Sequence, residues 1–586
     1  MKKSLPIMKG NEIAVRCLEL LGVDIVFAYP GGPAIAMHQA LSKSSVRVIL
    51  PRHEQGGAFA ACGYARATGK VGVAMATSGP GATNLVSGIA DAYMDSIPTV
   101  FITSQVSSDM IGKNVFQETD IIGMTRPVVK HSYLVLAPQD LPRIFKEAFH
   151  LARSGRPGPV VIDIPKNIQM AECEIDFDAE MDIPAYSIPQ APQDIEVEAI
   201  KTMIKESSRP CIYAGGGIVS AEASEELIKF AKSYNIPVTT TLMGIGIFPE
   251  DDDLSLRWLG MHGAVYANYA ANECDLLIAL GARFDDRVTG TPENFARSAK
   301  IIHVDIDDSE INKNKPATLG VIADVKQTLM KLNEKPVFNE YKEWFAQIDE
   351  WKKQFPLTYK RKANTLQPQY VIERISALSK GEATIVPGVG QHQMWAAQYY
   401  KYSRPRQLLT SGGLGAMGFG LPAAMGAKAA CPDALIINID GDGSFQMNIQ
   451  ELGTLKVEKL DVKMVILNNQ HLGMVAQWED RLYNSNRGNT VLGRCYGSCG
   501  IKGHNCEECD RGKQCTGEKP YPDFVTIAKG YEIPAREVYS TDELDDAITE
   551  MLNTPGPFLL DIHTGYEEHV LPFIPAGKDY KSVIIE

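Results

Sequence analysis

Long apolar runs and an excess of basic residues are both missing from this sequence. It contains no run of about 18 uncharged apolar residues, the length that a membrane-spanning helix requires. Lysine and arginine (58) are outnumbered by aspartate and glutamate (71), and the net charge is -13. Because nucleic acids and anionic membranes bind concentrated basic faces, we expect neither as a partner. The N-terminus lacks the apolar segment of a secretory signal, and we expect a cytoplasmic protein.

A disulfide framework is also absent, since the 11 cysteines are odd in number and most stand singly in apolar surroundings. Such isolated cysteines are typical of reduced core residues. Five others crowd into 21 residues, around His504: Cys495, Cys499, Cys506, Cys509 and Cys515. They provide enough thiolates for a tetrahedral Zn²⁺ site, although their spacing is not that of a standard zinc finger. A reduced surface loop and a redox-labile hairpin are the alternatives.

The length of 586 residues exceeds what one hydrophobic core supports and suggests three or four domains of about 150 residues each. Apolar strand patterns alternate with helical patterns through three stretches of the chain, which predicts parallel sheets covered by helices. We therefore predict an α/β protein with three doubly wound parallel-sheet domains, at residues 1–185, 195–335 and 365–565, and a tail at 566–586. An acidic, proline-containing linker near 171–195 separates the first two domains.

The most informative stretch is 435–473, which reads as a strand, an acidic turn, a helix and a second strand. Asp442 lies at the end of the first strand and Asn469 at the end of the second. The carboxyl ends of neighbouring parallel strands share one sheet edge, where ligands bind. A carboxylate and an amide oxygen suit Mg²⁺, although a plain tight turn is an alternative. A calcium loop, in which Glu451 would be the twelfth position, is rejected because Phe445 stands where that loop needs glycine.

Other polar residues also follow predicted strands. Glu54 stands in the first turn of a helix, where it either has a chemical role or simply faces the helix dipole. In the second domain, glycine, arginine and aspartate residues end several strands and predict a binding edge. In the third domain, Gly413, Gly415 and Gly418 satisfy G-x-G-x-x-G, and Asp440 follows at the place of an NAD-binding acid. An NAD-dependent dehydrogenase is therefore a competing hypothesis, but it leaves Asp442 and Glu54 unexplained.

Several motifs resemble one known family. Gly-Asp-Gly at 441–443, followed after 24 residues by Asn-Asn at 468–469, resembles the thiamine diphosphate signature. The segment PRHEQGGAFAACGYARATG resembles the one that carries the catalytic glutamate of those enzymes. More narrowly, FQETDIIG, LGMHG, GARFDDRVTG, GVGQHQMWAAQ and NNQHLGMVAQWEDRLY resemble the large, catalytic subunit of acetolactate synthase (acetohydroxyacid synthase).

This resemblance implies an enzyme that decarboxylates pyruvate on thiamine diphosphate and ligates the two-carbon unit to a second 2-oxo acid. Pyruvate as acceptor gives 2-acetolactate and 2-oxobutyrate gives 2-aceto-2-hydroxybutyrate, the first common step of valine, leucine and isoleucine biosynthesis. The resemblance also implies Mg²⁺, FAD, and a homodimer or tetramer with active sites at the dimer interface, with a regulatory small subunit as a possible partner. Glyoxylate carboligase and 2-oxo acid decarboxylases are alternatives in the same fold.

The resemblance further assigns roles to individual residues. It implies catalytic roles for Glu54, Gln117 and Lys166, and metal binding by Asp442, Asn469 and the backbone of His471. The implied thiamine diphosphate residues are Tyr29, Gly32, Glu54, Gln391, His392, Gly415, Met417, Asp442, Gly443, Ser444, Asn469, His471, Gly473 and Met474. The implied FAD residues are Arg156, Gly215, Gly216, Met261, His262, Gly281, Arg283, Asp285, Asp305, Ile306 and Asp324. The implied substrate residues are Phe116, Gln117, Val389, Arg283 and Trp478. The cysteine-rich insertion at 493–519 departs from the family pattern.

Overall fold

The computed structural model describes residues 5–493 and 521–586 and contains three parallel β-sheets flanked by helices. The prediction of an α/β protein with three parallel-sheet units is therefore confirmed. The proposed zinc ligands Cys495, Cys499, Cys506, Cys509 and Cys515 lie outside the described residues. Within the described ranges, no helix is long and apolar enough to cross a membrane.

The first sheet has six parallel strands in the order β3-β2-β4-β5-β7-β6. Two short strands at the ends of this unit, β1 and β8, pair antiparallel, and β8 lies in the predicted linker. The strands are β1 (Ile7–Lys9), β2 (Ile25–Ala28), β3 (Arg47–Ile49), β4 (Gly72–Ala76), β5 (Thr99–Gln105), β6 (His131–Leu134), β7 (Pro159–Pro165) and β8 (Glu172–Glu174). The helices are α1 (Gly10–Leu20), α2 (Ile35–Leu41), α3 (Glu54–Thr68), α4 (Pro80–Asn84), α5 (Val86–Met94), α6 (Ile121–Thr125), α7 (Leu141–Arg153) and α8 (Lys166–Met170).

The second sheet also has six parallel strands, in the order β11-β10-β9-β12-β13-β14. Its strands are β9 (Pro210–Ala214), β10 (Val238–Thr240), β11 (Ser255–Trp258), β12 (Leu276–Leu280), β13 (Lys300–Asp305) and β14 (Leu319–Ile322). Its helices are α9 (Asp194–Glu206), α10 (Gly216–Ser220), α11 (Ser224–Tyr234), α12 (Val265–Glu273), α13 (Asp286–Thr289) and α14 (Val325–Leu332), and α15 (Lys342–Gln354) follows them.

The third sheet has five parallel strands in the order β15-β16-β17-β19-β18. Its strands are β15 (Thr384–Pro387), β16 (Ile436–Gly441), β17 (Val462–Asn468), β18 (Ala535–Val538) and β19 (Phe558–His563). Its helices are α16 (Pro368–Leu378), α17 (Gln391–Tyr399), α18 (Gly420–Ala430), α19 (Asp442–Phe445), α20 (Leu452–Glu458), α21 (Gly473–Leu482), α22 (Phe524–Gly530) and α23 (Leu544–Asn553). Both strands of the stretch 435–473 are central in this sheet, which explains why their sequences are continuously apolar.

Short 3-10 helices connect these elements. They span Gly32–Ala34, Ser108–Met110, Arg126–Val128, Pro138–Asp140, Leu242–Gly244, Asp308–Glu310, Gln446–Glu451 and Tyr580–Ser582. The one at Gln446–Glu451 lies between α19 and α20, so the crossover from β16 to β17 is a helix in three parts.

The first and third sheets share one hydrophobic core through helices α3 and α18. The ring of Phe59 on α3 packs edge-on against that of Phe419 at the start of α18, with centroids 5.6 Å apart. A Cβ atom at Gly63 would overlap the main chain of Ala423, and one at Gly426 would overlap that of Ala60. Only glycine permits this close approach, which fixes the helix that begins with Glu54 against the third domain.

Candidate active site

A cleft of about 490 Å³ opens at the carboxyl edge of the third sheet. Its walls are built by the segments that follow β15, β16 and β17, as expected for an open parallel sheet. The predicted cofactor, metal and substrate residues that line it are Val389, Gln391, His392, Met417, Asp442, Gly443, Ser444, Asn469, His471, Gly473 and Met474. Gly415 lies beside them, because a Cβ atom there would be 3.8 Å from Cγ1 of Val389.

The side chains predicted to bind metal face this cleft together. Asp442 is 1% exposed, and burial raises the pKa of its carboxyl group to about 6. The hydroxyl group of Tyr521 donates a hydrogen bond to Asp442 Oδ2. The main-chain N–H of His471 donates to Asn469 Oδ1 over 2.9 Å, which holds the amide oxygen in a fixed orientation. Asp442 and Asn469 therefore supply one carboxylate and one oriented amide oxygen, a donor set that suits Mg²⁺.

The cleft also fits an anionic ligand. Helices α17 and α21 begin at its wall with Gln391 and Gly473, and helix N-termini favour phosphate groups. The Gln391 amide group donates to Gln477 Oε1 and to the carbonyl oxygen of Glu568, both over 2.9 Å, so its orientation is set. Its Oε1 atom is buried and has no hydrogen-bond partner among the described residues. A buried polar atom of this kind costs about 1–3 kcal/mol when it stays unpaired, which a donor on the ligand would offset.

Asp440, the acid that the dehydrogenase hypothesis requires, does not reach the cleft. It is fully buried, and its carboxylate accepts hydrogen bonds from the N–H of Gly441 and the amide group of Asn438. In addition, the G-x-G-x-x-G segment does not follow a strand of the sheet, since Leu408 makes only an isolated bridge to Ile385. Neither feature of a dinucleotide site is present, so the structure argues against this hypothesis.

Glu54 lies at the start of α3, half-buried, in the first domain. Asn84 at the end of α4 donates to Glu54 Oε2 over 3.0 Å, while Oε1 lies near Gly81. Within the described ranges 5–493 and 521–586, no residue of the first domain lines the cleft. The structure of one chain therefore does not bring Glu54 into the cleft that holds Asp442.

The other first-domain candidates follow strands of the first sheet or belong to the loop after β5. Tyr29 and Gly32 follow β2, and Lys166 is an exposed residue at the start of α8, directly after β7. Gln117 has a left-handed backbone (φ 60°), and its Cα atom would be 2.9 Å from a Cβ atom at Gly79. Phe116 is 87% exposed, which is unusual for a large apolar side chain. These residues thus surround the same sheet edge as Glu54.

The residues predicted to bind FAD largely follow the carboxyl ends of strands in the second sheet. Gly215 follows β9 and Gly281 follows β12, so close together that a Cβ atom on Gly215 would overlap Gly281 O. Asp305 ends β13, and burial raises the pKa of its carboxyl group to about 6. Asp324 accepts a hydrogen bond from the N–H of Gln327 at the start of α14. The remaining predicted residues at or near this edge are Gly216, Met261, His262, Arg283, Asp285 and Ile306.

Three of these residues have additional contacts. Arg156 comes from the first domain and pairs with Asp307 and Glu310 of the second, over 3.0 and 2.6 Å. His262 is 5% exposed, stacks on Phe573 of the tail, and has its pKa lowered to about 4 by burial. Arg283 is partly exposed and lies 3.7 Å from Asp285.

Two contacts of Phe573 connect the tail to both predicted binding regions. Its ring lies 5.4 Å from the ring of His262 and 5.7 Å from that of Trp478 on α21. Met261 lines a second cavity, of about 540 Å³, between the second domain and residues 574–580. The tail therefore connects the predicted FAD edge with the predicted substrate residue Trp478.

Two residues that no sequence motif indicated contact candidate site side chains. Asn84 orients the Glu54 carboxylate, and Tyr521 donates to Asp442. For Asn84 the sequence gives a weak indication of a site, because Asn84 ends the glycine-rich stretch that begins at Thr77. For Tyr521 it gives none, since Tyr521 is separated from Asp442 by the whole cysteine-rich insertion.

Comparison with known families identifies the class of enzyme. Three thiamine pyrophosphate enzyme family models match the chain: the N-terminal TPP binding domain at residues 8–124, the central domain at 197–332 and the C-terminal TPP binding domain at 388–562. Together they cover most of the chain, so its class is that of the thiamine pyrophosphate enzymes.

Similar proteins narrow this class further. Acetolactate synthase 1, chloroplastic, of Oryza sativa subsp. japonica is 53% identical over 99% of this chain and 88% of its own length. The protein of that name from Zea mays is 54% identical over 99% of this chain and 89% of its own length. Acetolactate synthase, chloroplastic, of Arabidopsis thaliana is 51% identical over 99% and 84%. The chain belongs to the acetolactate synthase family.

The prediction of a cytoplasmic location is wrong by this comparison, because these relatives are all named as chloroplastic. The prediction was based on the net charge and on the N-terminal residues of the sequence. They do not distinguish the cytoplasm from the interior of an organelle, which explains the error.

Proposed function

We propose that this chain joins two 2-oxo acids with loss of CO₂. Pyruvate is the donor, and pyruvate or 2-oxobutyrate is the acceptor, giving 2-acetolactate or 2-aceto-2-hydroxybutyrate. The family membership supports this reaction, which is the first common step in making valine, leucine and isoleucine. The observation that carries the proposal is the cleft in which Asp442, Asn469 and two helix N-termini converge.

The cleft residues fall into two groups: some would bind Mg²⁺ and the diphosphate, and others would orient the cofactor or the metal ligands. Asp442, Asn469 and the main-chain oxygen of His471 would hold Mg²⁺, and the starts of α17 and α21 would receive the diphosphate. When bound, thiamine diphosphate supplies an electron sink for the carbanion that decarboxylation leaves. Gln391 offers its unpaired Oε1 to a donor on the cofactor, and Tyr521 keeps the Asp442 carboxylate facing the metal position.

Glu54 is proposed to hold and transfer a proton at the aminopyrimidine ring of the cofactor. Asn84 engages Oε2, so Oε1 is the atom that receives and returns the proton. Because Glu54 does not line the cleft of its own chain, we propose that it completes the cleft of a partner subunit in a homodimer or tetramer. A regulatory small subunit is a further proposed partner.

The substrate residues are proposed to form the mouth of this composite site. Arg283 would bind the carboxylate of the acceptor, and Trp478 would contact its alkyl group. Phe116, Gln117, Lys166 and Val389 would surround the donor, with Phe116 covered by the partner. Pyruvate and 2-oxobutyrate differ by one methylene group, and apolar contact of Trp478 with that group would favour 2-oxobutyrate by about 1–3 kcal/mol.

FAD is proposed to bind along the carboxyl edge of the second sheet in a structural role, since the reaction transfers no net electrons. Gly215 and Gly281 leave the main chain open for close approach, and Asp305 and Asp324 offer acceptors to hydroxyl groups. The names of the relatives support a plastid as the place of action.

An acetoin assay tests the reaction directly. Protein is incubated with pyruvate, thiamine diphosphate, Mg²⁺ and FAD, the mixture is acidified, and acetoin formed from 2-acetolactate is measured by its colour. We expect colour that depends on pyruvate and is lost in Glu54→Gln. Consumption of glyoxylate in place of pyruvate would favour a glyoxylate carboligase, and acetaldehyde without acetoin would favour a decarboxylase.

A further inference from the structure

A buried carboxylate from the third domain holds the start of the helix that carries Glu54. Glu451 ends the 3-10 helix Gln446–Glu451 and is fully buried. Its Oε1 atom accepts from the main-chain N–H groups of Arg52 and His53 over 3.0 and 3.1 Å. Its Oε2 atom accepts from the Thr454 hydroxyl group over 2.7 Å, which fixes the carboxylate plane. Glu451 thus binds the two residues that immediately precede Glu54.

The contact is close enough to constrain the sequence of the first helical turn. A Cβ atom at Gly56 would overlap Oε1 of Glu451, so only glycine allows the carboxylate to lie there. His53 is the N-cap of α3, and its Nδ1 atom accepts from the N–H of Gln55 over 3.1 Å. The N–H groups on both sides of Glu54 are therefore held, that of His53 by Glu451 and that of Gln55 by His53.

A second contact from the same segment reaches the next residue of α3. The buried Asn448 amide group donates to Gln55 Oε1 over 3.2 Å and to the carbonyl oxygen of Gly418 over 2.8 Å. Asn448 has a non-helical backbone (φ -132°, ψ 28°) that interrupts the 3-10 helix at this point. The crossover between β16 and β17 therefore departs from regular geometry where it contacts α3.

We propose that Glu451 is a positioning residue for Glu54. This role rests on the proposed function, in which Glu54 transfers a proton. Proton transfer requires donor and acceptor within about 2.6–3.2 Å, and displacement by 1 Å can lower a rate by about 10²-fold. Asn84 orients the side chain of Glu54. The position of the Glu54 backbone depends instead on the preceding residues, whose N–H groups donate to Glu451.

Hydrogen–deuterium exchange on the cofactor-free protein tests the contact independently of activity. Glu451→Ala is expected to raise exchange in residues 50–57, because the Arg52 and His53 amides lose their acceptor. Glu451→Gln keeps one oxygen for these amides and is expected to preserve protection. Glu458→Gln is the matched control, since Glu458 pairs with Arg47 of the first domain over 2.8 Å and Arg47 lies on β3, outside α3. Unchanged protection in Glu451→Ala would overturn the proposal.

A double-mutant cycle tests the functional part. Glu451→Ala is expected to lower kcat on the order of 10-fold to 10²-fold while the Kd for thiamine diphosphate changes less than about 3-fold. In a Glu54→Gln background, the same substitution is expected to cost less than about 2-fold, because a residue that acts through Glu54 has nothing left to position. Equal losses in both backgrounds would show that Glu451 acts elsewhere and would overturn the proposal.

The role of Glu451 can be tested even if one of these variants does not behave as expected. If Glu451→Ala does not fold, Glu451→Asp withdraws the carboxylate by one methylene and enters the same cycle. If Glu54→Gln retains near-normal activity, the proposed role of Glu54 fails, whereas the exchange experiment still decides whether Glu451 holds the start of α3. The two failures are therefore distinguishable.

Discussion

The sharpest prediction concerns two variants that are inactive alone and active together. Glu54→Gln removes the proposed proton carrier, and Asp442→Asn removes the proposed metal carboxylate. In the structure these residues belong to different domains, and no first-domain residue among those described lines the cleft of its own chain. If each site takes Glu54 from one subunit and Asp442 from its partner, a mixed dimer contains one site with both substitutions and one site with neither.

The expected activity follows from counting sites. Each variant alone leaves every site with one substitution, and Glu54→Gln should cost on the order of 10²-fold or more. Random association of equal amounts of two chains in a symmetric dimer gives about one half mixed dimers, each with one intact site. The mixture should therefore regain about one quarter of wild-type activity per chain, and purified mixed dimers about one half. A site built within one chain would give no intact site in any combination.

The assay uses chains with two different affinity tags, co-expressed and purified through both tags so that only mixed dimers remain. Acetoin formed after acidification measures activity, and each variant purified alone provides the background. Refolding or reassociation of separately purified variants serves as a second route to the mixed dimer. Activity of the mixed dimer no higher than that of the variants alone would refute the shared site and would require Glu54 to reach Asp442 within one chain.

Three further predictions concern packing and charge. Gly63→Ala should lower the melting temperature and reduce activity, because its Cβ atom would overlap the main chain of Ala423 and push α3 away from α18. Gly530→Ala is the control, since its added Cβ atom meets no atom within 4 Å, and equal melting curves for Gly63→Ala and wild type would contradict the prediction. Asp95→Ala should lower the melting temperature by several degrees, because the N–H groups of Gly412 and Gly413 lose their acceptor and buried Arg66 keeps only one of its two carboxylate partners, Asp91. An unchanged melting temperature would contradict this. His262→Phe should reduce the loss of thermal stability on acidification. The pKa of His262 is near 4 in the folded state and near 6.5 in the unfolded state, so the stability present above pH 6.5 is lost as the pH falls toward 4, by up to about 2 kcal/mol at pH 5. Parallel profiles of melting temperature against pH for the two proteins would refute this assignment.

The sequence predicts that Asp442 and Asn469 meet at one edge of the third sheet, because this arrangement depends only on local order along the chain. Asp442 and Asn469 each end a buried strand, and parallel pairing of β16 with β17 places the two ends side by side. This pairing requires only that the helical stretch between them crosses over, which the apolar pattern indicates. Local patterns of this kind therefore predict both the fold class and the centre of the candidate site.

Contacts between distant parts of the chain could not be predicted in the same way. Glu451 looked like the last position of a rejected calcium loop, yet its carboxylate binds residues almost 400 positions away. Tyr521 reaches Asp442 across the insertion, and Asn84 reaches Glu54 across a strand. The sequence does not identify the hydrogen-bond partners of these polar side chains. Any buried carboxylate or amide needs hydrogen bonds, and many arrangements supply them.

The segment from Asp442 to Glu451 contacts both the cleft and the start of α3, so its position affects both regions. Its first residue faces the cleft of its own chain, and its last residue holds the helix start that carries Glu54. Because these two residues are only nine positions apart and both are buried, a shift of this segment displaces both. Under the proposed dimer, Glu54 serves the partner's cleft, so each segment would then influence the metal position of one site and the proton carrier of the other. The rigid packing of α3 on α18 keeps that shift small.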